Sequence, residues 1–339
     1  MIERVKLEKF FSYISKFRKV VLLGHVNPDG DSVGSLAGMA DFLTNNGIEP
    51  VCVVPSAYPG FLSFLDKNGK ILVYGADKDS ATGAVESAEL IICLDFNSLS
   101  RIDELGEVTG RSRAPKILID HHLYPDPLFD VIISDTEVSS TCELAYIVIE
   151  ELRKIHPDLA PLSHDGQTAI YTGIMTDTNN FSNSVRPATF RIASELMEHG
   201  VDKTAVQQLV FGGFSEERMR LLGYMLYENM KIIPEYNATV MLLSKEVKDK
   251  FHYNTGDSEG FVNMGLNIKD IVVAALFTED NGFIRVSLRS KGDFSVNELA
   301  KRYFNGGGHK NASGGRLYIP ISEVERYYAD ALEKYRHTI

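Results

Sequence analysis

Residues 21–35 read Val21-Leu-Leu-Gly-His25-Val-Asn-Pro-Asp29-Gly-Asp31-Ser-Val-Gly-Ser35 and set the architecture of the chain. The aliphatic run at 20–23 predicts a buried strand, and the apolar spacing of residues 32–46 predicts a helix. The loop between them lies beyond the carboxyl end of a strand, which is where open parallel sheets bind ligands. We therefore expect His25, Asp29 and Asp31 to point inward together as metal ligands. The alternative is an ordinary turn with solvated aspartates.

Later segments repeat this pattern of an apolar run that ends in acids and histidines. Residues 90–94 predict a second buried strand, which ends in Asp95, and residues 117–119 predict a third, which ends in Asp120-His121-His122. Asp177 follows one more apolar segment, at 169–175, and we expect it too to lie at a strand end. We expect these side chains to meet at the same edge of one sheet.

The chemistry of this set favours metal ions. Carboxylates outnumber imidazoles, no thiolate belongs to the set, and there are enough groups for two divalent ions that share a bridging acid. Such a set favours Mn²⁺ or Mg²⁺ over structural zinc, and the histidines favour Mn²⁺, with Co²⁺ also compatible. The alternative is a structural network of Asp–His pairs, but so many acids are costly to bury without cations.

These residues resemble the motifs of the DHH phosphoesterases, a family named for the triplet seen here as Asp120-His121-His122. The resemblance extends in order to His25-x-x-x-Asp29-x-Asp31, Asp95 and Met175-Thr-Asp177-Thr. Residues 304–314 resemble the glycine-rich signature of the companion DHHA1 domain. Asn179-Asn180 departs from the commoner pattern, in which glycine often follows the fourth motif.

The resemblance implies a role for each matched residue. It implies His25 and Asp29 on one metal, Asp31, His121 and Asp177 on the other, and Asp95 as the bridge. His122 would lie beside the substrate phosphate as a donor or acid, and Asp120 would orient the triplet. Spacing alone does not settle which of the adjacent histidines is the ligand.

The pattern of elements indicates two α/β domains. Residues 1–200 alternate helical and strand-like segments, as expected of a doubly wound, mainly parallel sheet. Residues 201–236 are predicted to form a helical connector, and residues 237–339 a smaller α/β domain that matches DHHA1. Residues 140–143 are predicted to open a helix as a capping box, in preference to a phosphate-binding loop.

The glycine-rich segment of the second domain is a candidate substrate site. Gly306, Gly307 and Gly308 permit close approach of the backbone, and His309 and Ser313 add hydrogen-bond donors. A flexible turn explains three glycines equally well. Arg289 upstream and the order of the family motifs favour substrate binding, and the resemblance implies that this domain holds the nucleotide.

A net charge of −11 argues against a protein that grips long or duplex nucleic acid, because such proteins normally carry a basic track. Dinucleotides, very short RNAs and mononucleotides fit better. No apolar segment predicts a membrane span, and Cys52, Cys93 and Cys142 lie in apolar surroundings, as expected of a soluble protein in a reducing cytoplasm. The oligomeric state stays open, and a homodimer is compatible with the sequence.

The resemblance implies a two-metal phosphoesterase. Its expected reactions are hydrolysis of short oligoribonucleotides or dinucleotides to mononucleotides, and of 3′-phosphoadenosine 5′-phosphate to AMP. One alternative is a phosphodiesterase for cyclic or linear dinucleotide messengers such as cyclic diadenylate, since the same metal centre would serve. A second alternative, outside the enzymes, is a nucleotide-sensing module without turnover.

Overall fold

A computed structural model describes residues 2–67 and 69–336. The chain divides into two compact units, Met1–Gly213 and Phe214–Ile339. The division falls inside the stretch 201–236 that was predicted to form a helical connector. The first residue of the predicted 1–200 domain and the last three residues of the predicted 237–339 domain lie outside the described residues.

The first unit is built on a six-stranded sheet in the order β3-β2-β1-β4-β5-β6, in which all neighbouring strands are parallel. The strands are β1 (Val20–Leu23), β2 (Val51–Val54), β3 (Leu72–Val73), β4 (Leu90–Leu94), β5 (Lys116–Asp120) and β6 (Val131–Ser134). The helices are α1 (Arg4–Lys16), α2 (Gly30–Asn45), α3 (Lys78–Ser87), α4 (Asp103–Arg111), α5 (Thr141–Ile155), α6 (His164–Asp177), α7 (Pro187–Glu198) and α8 (Lys203–Gln207). Short 3₁₀ turns occupy Gly60–Leu65 and Leu99–Ile102, and a π turn occupies Gln208–Gly212.

Both faces of this sheet are covered. Val20 and Leu22 of β1 pack in one buried cluster with side chains of α1, α2, α5 and α6. Val21 and Leu23 point to the other face and pack in a second cluster with side chains of α3 and α4. Successive residues of a strand face opposite sides, so a strand that is apolar throughout must be buried on both. The prediction of a doubly wound parallel sheet is confirmed.

Small residues let α2 approach α6 closely. An added Cβ at Gly34 would lie 2.7 Å from the carbonyl oxygen of Ala169, and one at Gly38 would lie 2.7 Å from Ile170 Cδ1. At Gly30 an added Cβ would overlap the side chain of Thr176. This contact places the start of α2 beside the end of α6, and therefore brings Asp31 near Asp177.

Two details of the predicted elements were wrong. The helix expected from residue 32 begins at Gly30, so Asp31 lies in its first turn and only His25 and Asp29 lie in the loop. The apolar segment before Asp177 belongs to α6, so this acid ends a helix and not a strand. A short apolar run buried on several sides does not distinguish a strand from a helix.

The second unit contains a mixed six-stranded sheet in the order β11-β12-β10-β9-β8-β7, in which only β8 and β9 pair in parallel. Its strands are β7 (Lys231–Ile233), β8 (Ala238–Leu243), β9 (Val273–Glu279), β10 (Ile284–Ser290), β11 (Gly307–Gly308) and β12 (Ala312–Leu317). Its helices are α9 (Glu216–Tyr224), α10 (Lys245–Lys250), α11 (Phe261–Leu266), α12 (Val296–Tyr303) and α13 (Ile321–Arg336), with a π turn at Met225–Asn229 and a 3₁₀ turn at Pro234–Tyr236. Among the described residues, no helix combines the length and apolarity needed to cross a bilayer.

We predict that Gly34→Ala destabilises the protein by about 1–3 kcal/mol, because the new methyl group meets a backbone oxygen that cannot move aside. The matched control is Gly83→Ala in the exposed part of α3, where an added Cβ meets nothing within 4 Å. That change should be neutral or stabilise by up to about 1 kcal/mol through helix propensity. Urea denaturation of both variants measures the difference, and equal stabilities would contradict the packing argument.

Candidate metal centre

The loop from β1 to α2 delivers the first histidine to the sheet edge. His25 follows β1 after one glycine and is buried, with Nδ1 hydrogen bonded to the carbonyl oxygen of Val26 at 2.8 Å. In the neutral imidazole, which metal ligation requires, that bond makes Nδ1 the donor and leaves Nε2 with a lone pair. Nε2 lies 3.8 Å from Asp29 Oδ1 and 3.3 Å from Asp95 Oδ2. Asp29 also caps α2, because its Oδ1 accepts hydrogen bonds from the backbone N–H groups of residues 31 and 32.

Asp95 lies between the two histidines that face the carboxylates. Its Oδ2 is 3.3 Å from His25 Nε2, and its Oδ1 is 3.6 Å from His121 Nε2. The residue follows β4 directly and has a left-handed backbone with φ of 65°. Aspartate tolerates this conformation better than most residues do, although it still carries strain, and such strain is common at functional sites. The carboxylate is therefore shared, with one oxygen toward each imidazole.

His121 faces three carboxylates from three different elements. Its Nε2 lies 3.8 Å from Asp31 Oδ2, 3.6 Å from Asp95 Oδ1 and 3.7 Å from Asp177 Oδ2. Asp31 comes from the first turn of α2, Asp95 from the end of β4 and Asp177 from the last residue of α6. The structure thus brings together the residues that the resemblance assigned to the second ion.

His122 is oriented differently from its neighbour. Its Nδ1 donates to Asp120 Oδ1 at 2.7 Å and lies 3.8 Å from Asp95 Oδ1. Asp120 is fully buried at the end of β5, and its second oxygen, Oδ2, has no hydrogen-bond partner within the described part of the chain. The bond from Nδ1 fixes the orientation of the ring, so that Nε2 faces away from Asp120.

The start of α5 supports the acids in a way that the sequence did not indicate. The backbone N–H groups of Thr141 and Cys142 donate to the Asp31 carboxylate at 2.7 and 2.8 Å, and Thr141 Oγ1 donates to Asp95 Oδ1 at 3.0 Å. Ser140 caps the helix as predicted, accepting from the backbone N–H of Glu143, but the predicted capping box is incomplete, because the Glu143 side chain accepts from the backbone N–H of Ser139 and not from that of Ser140. The first turn of a helix favours a negative charge, so α5 stabilises Asp31. Only the capping pattern pointed to this segment.

The cluster holds more negative than positive groups, and the pKa shifts reflect this. Burial raises the pKa of Asp177 to about 6, and burial together with Asp95 and Asp177 raises that of Asp31 well above its ordinary range. Burial opposes the charged form of His25 and His121, but the surrounding carboxylates outweigh it and raise their pKa values to about 10 and about 9. In the absence of other cations, the two imidazoles and shared protons offset part of this negative charge.

Divalent cations fit this donor set. Three groups in the first unit place their ligand atoms within 4.8 Å of one another, namely His25 with Asp29 and Asp95, Asp31 with Asp95 and His121, and Asp95 with Asp120 and His122. Asp95 belongs to every one of them. Oxygen-rich sites with a few imidazoles suit hard or borderline ions. The buried cluster is therefore able to bind metal.

The glycine-rich segment of the second unit allows strands to approach closely. Gly307 and Gly308 form β11, which pairs with β12. A Cβ at Gly306 would overlap the carbonyl oxygen of Gly314. Gly308 has φ of 142°, and a Cβ there would lie 2.6 Å from the carbonyl oxygen of Ala312. Larger residues would not fit at Gly306 or Gly308.

The predicted substrate-binding side chains lie around β12. Arg289 on β10 is paired with Ala312, and its Nη1 donates to the carbonyl oxygen of Leu288 at 3.0 Å. The backbone N–H of His309 donates to the carbonyl oxygen of Ala312 at 2.7 Å. Ser313 is buried, and its Oγ donates to the carbonyl oxygen of His309 at 2.8 Å. The fold thus collects these residues at one place in the second unit.

Comparisons with known proteins match a separate family domain to each of the two units. The model of the DHH family N-terminal domain matches residues 19–174, and the model of the DHHA1 domain matches residues 236–336. The chain is 30% identical over 321 residues to the probable bifunctional oligoribonuclease and PAP phosphatase NrnA of Streptococcus mutans, covering 94% of this chain and 95% of that protein. It is also 30% identical over 325 residues to the bifunctional oligoribonuclease and PAP phosphatase NrnA of Bacillus subtilis, with coverage of 94% and 95%.

A solved structure is similar over the whole chain. The crystal structure of an exopolyphosphatase-related protein from Bacteroides fragilis superposes with a TM-score of 0.90 at 40% sequence identity. The match covers 100% of this chain and 98% of that one. The likeness therefore extends through both units.

We predict that the metal-free protein loses stability as the pH rises from about 6.5 to 10. Folding raises the pKa of His25 from 6.5 to about 10 and that of His121 from 6.5 to about 9. Each raised pKa contributes stability that is fully present below pH 6.5 and is lost as the pH rises through the folded pKa. Thermal midpoints in EDTA should fall by a few degrees over this range.

The same measurement has a matched control. His25→Asn should flatten the pH profile, whereas His164→Gln, at an exposed histidine at the start of α6, should leave it unchanged. Added Mn²⁺ should reduce the alkaline loss, because ligation requires neutral imidazole. A flat profile for the metal-free wild type would contradict the electrostatic balance.

Proposed function

This chain belongs to the DHH family, and we propose that it is a divalent-metal phosphoesterase acting on short nucleotides. Its proposed reactions are the hydrolysis of short oligoribonucleotides and dinucleotides to mononucleotides and of 3′-phosphoadenosine 5′-phosphate to AMP. Relatives at 30% identity over nearly their full length are named for these two activities. The coverage of 94% of this chain and 95% of each relative supports the transfer of both activities.

The shared carboxylate of Asp95 is the observation that carries this proposal. Its two oxygens face different imidazoles, at 3.3 Å from His25 Nε2 and 3.6 Å from His121 Nε2. A carboxylate in that position can bridge two ions, and two-ion sites are suited to phosphoryl chemistry. A purely structural Asp–His pair would not need the four further acids gathered around it, Asp29, Asp31, Asp120 and Asp177.

We assign the ligands on this geometry. His25, Asp29 and Asp95 would hold one ion, and Asp31, Asp95, His121 and Asp177 would hold the other. Mn²⁺ is favoured by the mixture of imidazole and carboxylate, with Mg²⁺ and Co²⁺ as substitutes. When bound, such ions supply Lewis acidity, which activates water and offsets charge that develops on the phosphoryl oxygens.

Two side chains of the protein supply and orient the proton for the leaving oxygen. Asp120 Oδ1 fixes His122 through Nδ1, so that a cationic His122 can give the proton on Nε2 to the leaving oxygen. Burial opposes the charged form of Asp120, but His122 and His121 outweigh it and hold the pKa of Asp120 below its ordinary range. Asp120 is thus an acceptor throughout the pH range in which the enzyme would work. It acts as a positioning residue.

We propose that the second unit binds the nucleotide, with Arg289, Gly306, Gly307, Gly308, His309 and Ser313 as the contact residues. An arginine suits a phosphate, and the glycines allow a ligand to approach the backbone. The net charge of −11 favours short substrates over long strands. The three free, buried cysteines support a cytoplasmic setting for this chemistry.

A panel of substrates with Mn²⁺ tests the function. We expect release of mononucleotide from linear diadenylate and from 3′-phosphoadenosine 5′-phosphate, slower cleavage as RNA length increases, and the least activity on cyclic diadenylate. Asp95→Asn should lower kcat by about 100-fold or more, while Asp158→Asn, at an exposed aspartate outside the cluster, should not. No release from any substrate would favour a sensing module, and a preference for the cyclic dinucleotide would favour the messenger phosphodiesterases.

The two adjacent histidines are predicted to differ in metal retention. His121→Ala should lower the metal content after gel filtration, because His121 Nε2 faces three carboxylates. His122→Ala should keep the metal and lower kcat by about 10²–10⁴-fold, as expected for loss of a general acid. Elemental analysis with parallel kinetics measures both. The reverse pattern would exchange the roles of the two residues.

A further inference from the structure

A column of aromatic rings runs from the core of the first unit to its surface in the segment between α6 and α7. Tyr171 is buried in α6, and its ring centroid lies 5.8 Å from that of Phe181. Phe181 in turn stacks on Phe190 of α7, with centroids 5.8 Å apart and planes inclined by 29°. Phe190 is 51% exposed. The column therefore ends in a ring whose outer part is open to solvent.

This column is tied to the proposed metal centre through the chain itself. Phe181 lies four residues after Asp177, so the two Cα atoms are at most about 15 Å apart. The turn between them is fixed, because the backbone N–H of Phe181 donates to Thr178 Oγ1 at 2.9 Å and that of Asn180 donates to the carbonyl oxygen of Met175 at 2.8 Å. The inner part of the column, Phe181, is thus tied to the candidate ligand Asp177, and Phe190 lies one stacking distance of 5.8 Å beyond Phe181.

A cation accompanies the exposed ring. Arg186 lies one helical turn before Phe190, and its Nη2 is 3.4 Å from Oε1 of the fully buried Glu143. Glu143 also accepts from Ser139 Oγ at 2.5 Å and Thr189 Oγ1 at 2.8 Å, so the anchor is firm. The Arg186 side chain is 36% exposed. Nη2 is held on the protein, and Nε is buried without a hydrogen-bond partner in the described part of the chain. The Nη groups are therefore the donors that a ligand would meet.

We propose that Phe190 and Arg186 form a nucleotide subsite of the first unit, in which Phe190 stacks on a base and Arg186 pairs with a phosphate of the same substrate. This inference rests on the proposed function. A lone exposed phenylalanine needs no explanation. Phe190, however, extends a buried stack that follows the candidate ligand Asp177, and Arg186 is held on Glu143 of α5, the helix whose first amides bind Asp31. An exposed ring with an arginine nearby has the parts of a single-strand binding platform. Stacking of this kind accepts any base, as a nuclease for short RNA requires.

Kinetics on two substrates test the stacking contact. One is linear diadenylate, and the other is the same molecule with one adenine replaced by hydrogen. Phe190→Ala should raise KM for diadenylate by about 5- to 100-fold and leave KM for the abasic substrate nearly unchanged. Phe190→Tyr should retain binding. Met197→Ala, at another exposed apolar residue of α7, is the matched control and should resemble the wild type.

The phosphate contact has its own variants. Arg186→Gln should raise KM for both substrates by about tenfold, since both keep the phosphates, and Arg186→Lys should recover part of the loss. The thermal midpoint of each variant shows whether Glu143 has been left without its partner. An unchanged KM for a folded Arg186→Gln protein would remove the arginine from the subsite.

A fluorescent dinucleotide separates failure of the subsite from failure of the function. Stopped-flow mixing with a dinucleotide of adenine and 2-aminopurine reports stacking as quenching before any cleavage. Quenching that is lost in Phe190→Ala supports the subsite even if the wild type cuts nothing. Equal losses on the two kinetic substrates overturn the subsite while the function stands. A change from dimer to monomer on Phe190→Ala in sedimentation would also overturn it, because the ring would then belong to an interface between copies.

Discussion

The burial of several carboxylates at one sheet edge is the constraint on which the rest of the first unit depends. Asp31, Asp95 and Asp120 are each no more than 2% exposed, and like charges in such surroundings are costly unless cations or donors compensate. The protein supplies part of the compensation through two imidazoles, the amides at the start of α5 and the Thr141 hydroxyl. The divalent ions proposed for this site would supply the rest of the positive charge.

Most of this arrangement follows from local sequence. The strands at 20–23, 90–94 and 116–120 were predictable because each is a short apolar run, and because parallel strands all end at the same edge. From that rule alone, His25, Asp95 and the Asp120 triplet were predicted to lie close together. The strand prediction was wrong for the segment before Asp177. This segment is α6, which packs closely against α2 and is buried on more than one face, so its apolar residues do not show the spacing of an amphipathic helix.

Contacts between residues far apart in the sequence could not be predicted from local patterns. The capping pattern at 140–143 predicted where α5 begins, but the partner of its first amides is Asp31, more than a hundred residues earlier. The aromatic column from Tyr171 to Phe190 was unpredictable for a similar reason. The spacing of residues 171, 181 and 190 matches neither the helical nor the strand repeat. Such contacts form when helices and strands pack together, and a local sequence pattern does not identify the partner residue.

The same charge balance explains how an acidic chain can handle a polyanionic substrate. A net charge of −11 repels a long strand over many phosphates, but one or two phosphates meet only the local field. At the proposed site that field is set by the ions, the α5 helix terminus and an arginine held on a buried glutamate. The proposed selectivity for short substrates would then need no steric barrier. Each additional nucleotide adds repulsion from the surface, whereas the attraction stays confined to the phosphates at the metal centre.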